Sequence, residues 1–191
     1  MSDPSSQLRE NSGHSRAGNG MGRSRKALLD GARRAIAANG LSATSMVDVA
    51  DYGQVARATL YNHFRSKDDL WAALVLDEME RVSGLFRAEA NFAAGLKVLA
   101  QEISANPMLR TIAKTDPSTL AALTRVDDGA LWLQIQARFV LLAKERKISD
   151  SAAVDLAFRW LLSQVGYPLA EIASGSAAMI AGITRAPAVL F

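Results

Sequence analysis

Residues 40–70 read GLSATSMVDVADYGQVARATLYNHFRSKDDL, and the helix signals crowded into this stretch decide the fold. Ser45 stands three residues before Asp48, a capping-box pair ahead of the apolar Met46, Val49 and Ala50, and Gly53 stops the helix after about two turns. Val55 then opens a further segment, Ala56 to Phe64, in which Leu60 and Phe64 share one face while Arg57, Thr59, Tyr61 and Asn62 fall elsewhere. Ser66 with Asp69 caps the next helix, whose Leu70, Leu74 and Val75 turn inward.

Two short helices joined by a tight turn, the second with an outer face free of large apolar groups, make a helix-turn-helix, whose second helix enters the major groove of DNA. Leu60 and Phe64 anchor that helix. Arg57, at its N-terminal end, is placed to reach a guanine edge or a phosphate, and Thr59 offers a hydroxyl or a methyl to bases. Tyr61 and Lys67 are placed for phosphates, and the helix begun at Ser66 adds backbone N–H donors and a favourable dipole.

Upstream, Ala27, Leu28, Ala32, Ala35 and Ile36 recur at helical spacing from near Ser24, and Gly40 after Asn39 ends the run. Residues 1–22 are rich in Ser, Gly, Asn and Arg and poor in apolar side chains, so a disordered basic arm is expected there. Charge is uneven. Residues 1–67 carry 10 Lys/Arg against 5 Asp/Glu, whereas residues 68–191 carry 12 against 14. A polyanionic partner for the first third fits that split, and a solvated basic tail would give the same numbers. Arg9, Arg16, Arg23, Arg25 and Lys26 could follow phosphates or a minor groove from the arm.

The same stretch resembles the DNA-binding signature of the tetracycline-repressor (TetR) family, through Gly40, Thr44-Ser45, Val49-Ala50, Val55, Thr59-Leu60-Tyr61, His63-Phe64 and Lys67. The resemblance implies double-stranded DNA as partner and a contact set of Ser45, Arg57, Ala58, Thr59, Tyr61, Asn62, His63 and Lys67. It also implies a C-terminal ligand-binding and dimerisation region. Two positions depart from the family pattern. The glycine of the turn comes one residue early, as Gly53-Gln54, which puts Gln54 into a left-handed conformation at about 1 kcal/mol. Ala56 stands where a serine usually opens the second helix, which removes a cap that contributes about 1 kcal/mol.

Beyond residue 70 only helical periodicity is found, so the fold class is all-α. A helix through Leu96, Leu99, Ala100 and Ile103 ends at Pro107, a short one spans Met108–Thr115, and a long pattern from Pro117 to Arg146 breaks near Asp127. Ser149 or Asp150 caps the next, and Pro168 separates it from Leu169 to about Thr184. The expected organisation is an arm over 1–22, a helix-turn-helix domain over 23–67 and a helical effector-binding and dimerisation domain over 68–191.

The two last helices, rich in Ala, Gly and Ser, predict a homodimer through about 150–184. Trp132, Phe139, Phe158, Trp160 and Tyr167 are candidates to line a pocket for a small apolar effector, although core packing explains each of them as simply. The pairs Asp68-Asp69 and Asp127-Asp128 read as helix N-terminal charges, since neighbours on a helix diverge by about 100°. The chain has no cysteine and 2 histidines, His14 and His63, and so no metal site or cofactor is expected. No apolar run is long enough for a membrane span and no secretory core is present, so a cytoplasmic protein is expected. The function expected is a DNA-binding repressor released from a palindromic operator by the effector. A constitutive helix-turn-helix factor, activating or architectural, is the alternative, and a helical enzyme is remote.

Overall fold

The structure, a computed structural model, describes residues 7–124, 129–166 and 173–183. Among them ten helices follow in chain order: α1 Gln7–Asn39, α2 Met46–Gly53, α3 Arg57–His63, α4 Lys67–Ala88, α5 Phe92–Ala105, α6 Pro107–Thr115, α7 Pro117–Thr124, α8 Ala130–Glu145, α9 Ser151–Gly166 and α10 Ala173–Ile183. No strand occurs among the described residues, as the all-α reading requires. The expected carboxylate pair Asp127-Asp128, Tyr167, and the first six residues of the expected arm lie outside them.

Most boundaries follow from local chemistry. Gly40 ends α1 with φ +86°, and its N–H donates to Ile36 O at 2.8 Å, the left-handed stop for which glycine is suited. Asp150 accepts from Ala152 N (2.9 Å) and Ala153 N (3.1 Å) and so caps α9. The break expected near Asp127 falls outside the described residues, between the last described residue of α7, Thr124, and the first of α8, Ala130. One boundary differs: α1 begins at Gln7, well before Ser24 and inside the segment expected to be disordered. The first buried side chain of those described is Leu28.

Two apolar cores result. One joins Leu28, Leu29, Ala32 and Ile36 of α1 to Val49 and Ala50 of α2, Leu60, Phe64, Leu70 and Leu74, with Ile112 of α6. The other gathers Phe86, Phe92, Leu96, Leu99, Phe139, Leu142, Val154, Phe158 and Leu161 with Ala177 and Ala181. Helix α4 belongs to both, through Leu70 and Leu74 at one end and Phe86 at the other. The expected boundary between 67 and 68 falls at its first turn.

Helices α1 and α2 meet backbone to backbone. A Cβ built on Gly31 would lie 2.5 Å from Gly53 N and 2.6 Å from Val49 O, and one on Gly53 would lie 3.0 Å from Ala27 O. Gly31→Ala is therefore expected to force the helices apart and lower stability by about 1–3 kcal/mol, as overpacking does. The midpoint of urea unfolding, compared with that of Gly84→Ala, whose added Cβ meets nothing within 4 Å, measures this directly.

Candidate nucleic-acid interface

The capping box expected at α2 is formed. Asp48 N donates to Ser45 Oγ (3.2 Å), while Ser45 N and Ser45 Oγ both donate to Asp48 Oδ2 at 2.8 and 2.6 Å. Ser45 is exposed at this end, with its hydroxyl and amide already engaged. The hydrogen bonds from the Ser45 side chain and backbone hold the Asp48 carboxyl below the usual carboxylate range.

Gln54 ends α2 in the left-handed region, φ 54° and ψ 40°, and Val55 N donates across it to Ala50 O at 3.0 Å. This is the closure that glycine ordinarily makes at a helix C-terminus. The preceding Gly53 has no positive φ, since the positive-φ glycine is Gly40. Its missing Cβ serves the contact with α1 instead, which is why the glycine stands one residue early and Gln54 takes the strained conformation.

The turn delivers α3. Leu60 is fully buried and Phe64 is 3% exposed, so one face is fixed in the core as expected. Arg57, Ala58, Tyr61 and Asn62 are exposed on the rest of its surface, with Tyr61 at 54%, and Thr59 and His63 are half-buried. Ala56 makes no side-chain cap, in agreement with the sequence.

Lys67, half-buried, opens α4. Its Nζ donates to Ser42 O at 3.3 Å and lies 5.5 Å from the centre of the Trp71 ring, which ties α4 to the loop between α1 and α2. Ser66 Oγ accepts from Asp69 N at 3.1 Å. Arg25 is brought here from a distant part of the sequence: its guanidinium sits over the Phe64 ring, 5.3 Å from the centroid. Nothing local in the sequence singles out that contact, because Arg25 stands among four other cations.

The expected pocket aromatics belong to the other core. Trp132 meets Phe158 edge to face at 6.4 Å, Phe158 meets Phe139 at 5.5 Å, and Phe139 meets Phe92 at 6.5 Å. Phe139 and Phe158 are buried, and Trp132 and Trp160 are half-buried against the same core. Two grooves lie elsewhere. One, of about 690 Å³, runs along α1, α4 and the start of α6 past Lys26, Asp30, Arg33, Asp77 and Arg81. The other, of about 550 Å³, lies between Arg25, Asp69, Leu76 and Arg138. Neither touches the four aromatics. No group of His, Cys, Asp or Glu among the described residues is arranged to hold a metal ion, and no described helix is long and apolar enough to cross a membrane.

Residues 28–74 match the family of bacterial regulatory proteins described as the tetR family. The fold is similar to that of the TetR family repressor AlkX from Dietzia sp. strain DQ12-45-1b, implicated in biodegradation of n-alkanes, at 21% identity and a TM-score of 0.62, over 83% of this chain and 96% of that one. The fatty acid degradation regulator FadR from Bacillus halodurans is similar at 18% identity and a TM-score of 0.59, over 86% and 97%. AibR, solved in complex with isovaleryl coenzyme A and operator DNA, is similar at 18% identity and a TM-score of 0.52, over 82% and 97%. No curated protein matches the sequence.

Two outcomes test this local geometry. Gln54→Gly is expected to raise stability by about 1 kcal/mol by relieving the left-handed side chain, and Ala56→Ser to add about 1 kcal/mol through a new cap; thermal unfolding of the two variants and the double reads both. For Asp48 the sign is that of an acid whose folded value is depressed. Its contribution is fully present above the ordinary aspartate range, about pH 4, and is lost as pH falls through the lower folded value. The acid limb of the stability–pH curve is therefore expected to flatten in Asp48→Asn.

Proposed function

We propose, from the match of residues 28–74 to the tetR family of bacterial regulatory proteins, that the chain is a DNA-binding transcription regulator of that family, with α3 as its recognition helix, presented twice by a homodimer to a palindromic operator. The observation that carries this reading is the division of α3 into a face locked by Leu60 and Phe64 and an exposed face of Arg57, Ala58, Tyr61 and Asn62. Arg57 reads a base edge or holds a phosphate at the helix start, and Thr59 contacts a base. Tyr61 and Lys67 hold phosphates, joined by His63 and Asn62 at the end of α3 and by Ser45 at the start of α2. The organisation is an N-terminal DNA-binding unit over about 23–67 and an effector and dimerisation unit beyond it.

The dimer forms through about 150–184. Leu156 on α9 and Met179 on α10, 42% and 70% exposed, support an apolar surface there. With two-fold symmetry the two recognition helices enter successive major grooves about 34–36 Å apart.

The chain acts as a repressor that a small apolar effector releases from DNA. The apolar and acyl chemistry in the names of the similar regulators AlkX, FadR and AibR supports an effector of that class. The effector would enter between the helices that carry Trp132, Phe139, Phe158 and Trp160, and would act through its different affinity for two dimer arrangements. A constitutive factor is the second reading, favoured by the mutual packing of those aromatics away from both grooves.

Selection of bound duplexes from a random library should return a palindrome. On that site Arg57→Ala should weaken binding by about 1–3 kcal/mol, and Tyr61→Phe should weaken it by less, with unchanged thermal midpoints. Full affinity in both variants at matched salt would remove α3 from the interface. A monomer in sedimentation at micromolar concentration, with and without the site, would remove the dimer.

A further inference from the structure

Gln54 is where the chain departs from local preference, at φ 54° and ψ 40° between α2 and α3. Glycine takes this left-handed conformation without steric cost, and asparagine and aspartate take it more readily than other side chains do. Glutamine belongs to neither group. The other described non-glycine residue with positive φ, Lys147 at 62°, closes α8 in the same way, with Ile148 N donating to Ala143 O at 3.0 Å. There the lysine charge meets the carbonyl end of a helix, which the helix dipole favours. Gln54 is neutral and gains nothing of that kind from the end of α2.

The turn does not need the glutamine side chain to close. Gln54 N donates to Asp51 O at 3.1 Å, Val55 N donates to Ala50 O at 3.0 Å, and Arg34 donates to Tyr52 O, so backbone and a neighbouring cation complete the hydrogen bonding. Gln54 is exposed, and its side-chain amide has no hydrogen-bond partner among the described residues. Its two N–H donors and its carbonyl acceptor are therefore open to another molecule.

Its place in the fold points to which molecule. Val55 packs against the core of α1 and α2, while Gln54 and Ala56 on either side of it are exposed. Arg57, the exposed first residue of α3, follows directly. A recognition helix meets base edges with its N-terminal residues, and the glutamine stands beside that end. A phosphate would be served better by a lysine or an arginine. A glutamine amide, with donor and acceptor side by side, instead matches N6 and N7 of adenine in the major groove.

We propose that Gln54 is a specificity-determining residue, whose side-chain amide reads an adenine edge in the major groove beside the group met by Arg57. The inference rests on the reading of α3 as the recognition helix. The left-handed backbone holds the amide at the start of that helix, so the position gives up stability for sequence discrimination.

The test repeats the duplex selection on the full chain with Gln54→Ala and Gln54→Gly, which remove the amide with the left-handed strain kept and with it relieved. The wild type is expected to require adenine at one symmetric position of each half-site. Both variants are expected to lose that preference, to keep the preferences at the other positions, and to bind the wild-type site about tenfold more weakly. Gln54→Gly is also expected to melt above the wild type, so that weaker binding by the more stable protein separates contact from folding. Unchanged preferences and affinity in both variants, beside weakened binding by Arg57→Ala, overturn the Gln54 contact and leave the recognition helix standing. A loss equal on every sequence, the mark of a phosphate contact, overturns it as well, and so does a loss confined to Gln54→Gly, the mark of a shifted turn. Full affinity in all three variants overturns the recognition helix together with the contact.

Discussion

The backbone contact between Gly31 of α1 and Gly53 of α2 is the constraint on which the end of the molecule formed by α1, α2 and α3 depends. Two helices approach this closely only where the facing side chains are very small, and here a Cβ added to either glycine would sit 2.5–3.0 Å from backbone. The contact sets how α2 lies on α1, and the turn after α2 must begin at Gln54 in consequence. A left-handed glutamine and an uncapped Ala56 are the local costs. In return, Val55 N reaches Ala50 O and α3 is held with Leu60 fully buried. The strain lies beside the surface proposed to meet DNA, where local rules are most often broken in favour of function.

This end is joined to the C-terminal helices by polar contacts as well as by the shared helix α4. Arg33 on α1 pairs with Asp77 and Glu78 on α4 and with Asp30 at 2.6 Å, and Glu78 also holds Arg81, which reaches Glu102 of α5 at 2.7 Å. Burial opposes the charge of Arg33, but its hydrogen bonds to the two carboxylates outweigh that and raise its pKa. Helix α6 joins the same end from the other side. Thr111 Oγ1 donates to Ala37 O at 2.7 Å, Asp116 accepts from Ser42 N at 3.3 Å, and Arg110 donates to Val165 O of α9 at 2.6 Å. Arg110 has its pKa lowered by burial and lies at the C-terminal end of α9, where the helix dipole favours a cation.

The C-terminal bundle carries a line of aromatic rings from Phe86 through Phe92, Phe139 and Phe158 to Trp132. Interlocked rings of this kind stabilise by area and by edge-to-face geometry, and they part only when something of similar chemistry replaces the contacts. An apolar effector would meet that condition; a charged one would face the cost of burial without partners.

The sequence by itself determined the helices and most of their ends, because capping, turn chemistry and periodicity are short-range. Ser45 with Asp48, Gly40, Ser66 and Asp150 all cap or stop helices where their neighbours predict, and the strained Gln54 was legible from one misplaced glycine. The division of α3 into Leu60 and Phe64 inside and Arg57 and Tyr61 outside was legible for the same reason. The tertiary structure alone decided what Gly31 is for, that Arg33 reaches across 44 residues to Asp77, that Arg25 covers Phe64, and that the aromatics pack on one another away from both grooves. It also carried α1 back to Gln7, where composition suggested disorder. These facts depend on which helix lies against which, a sum over many weak apolar contacts between distant segments, and no window of sequence contains that sum.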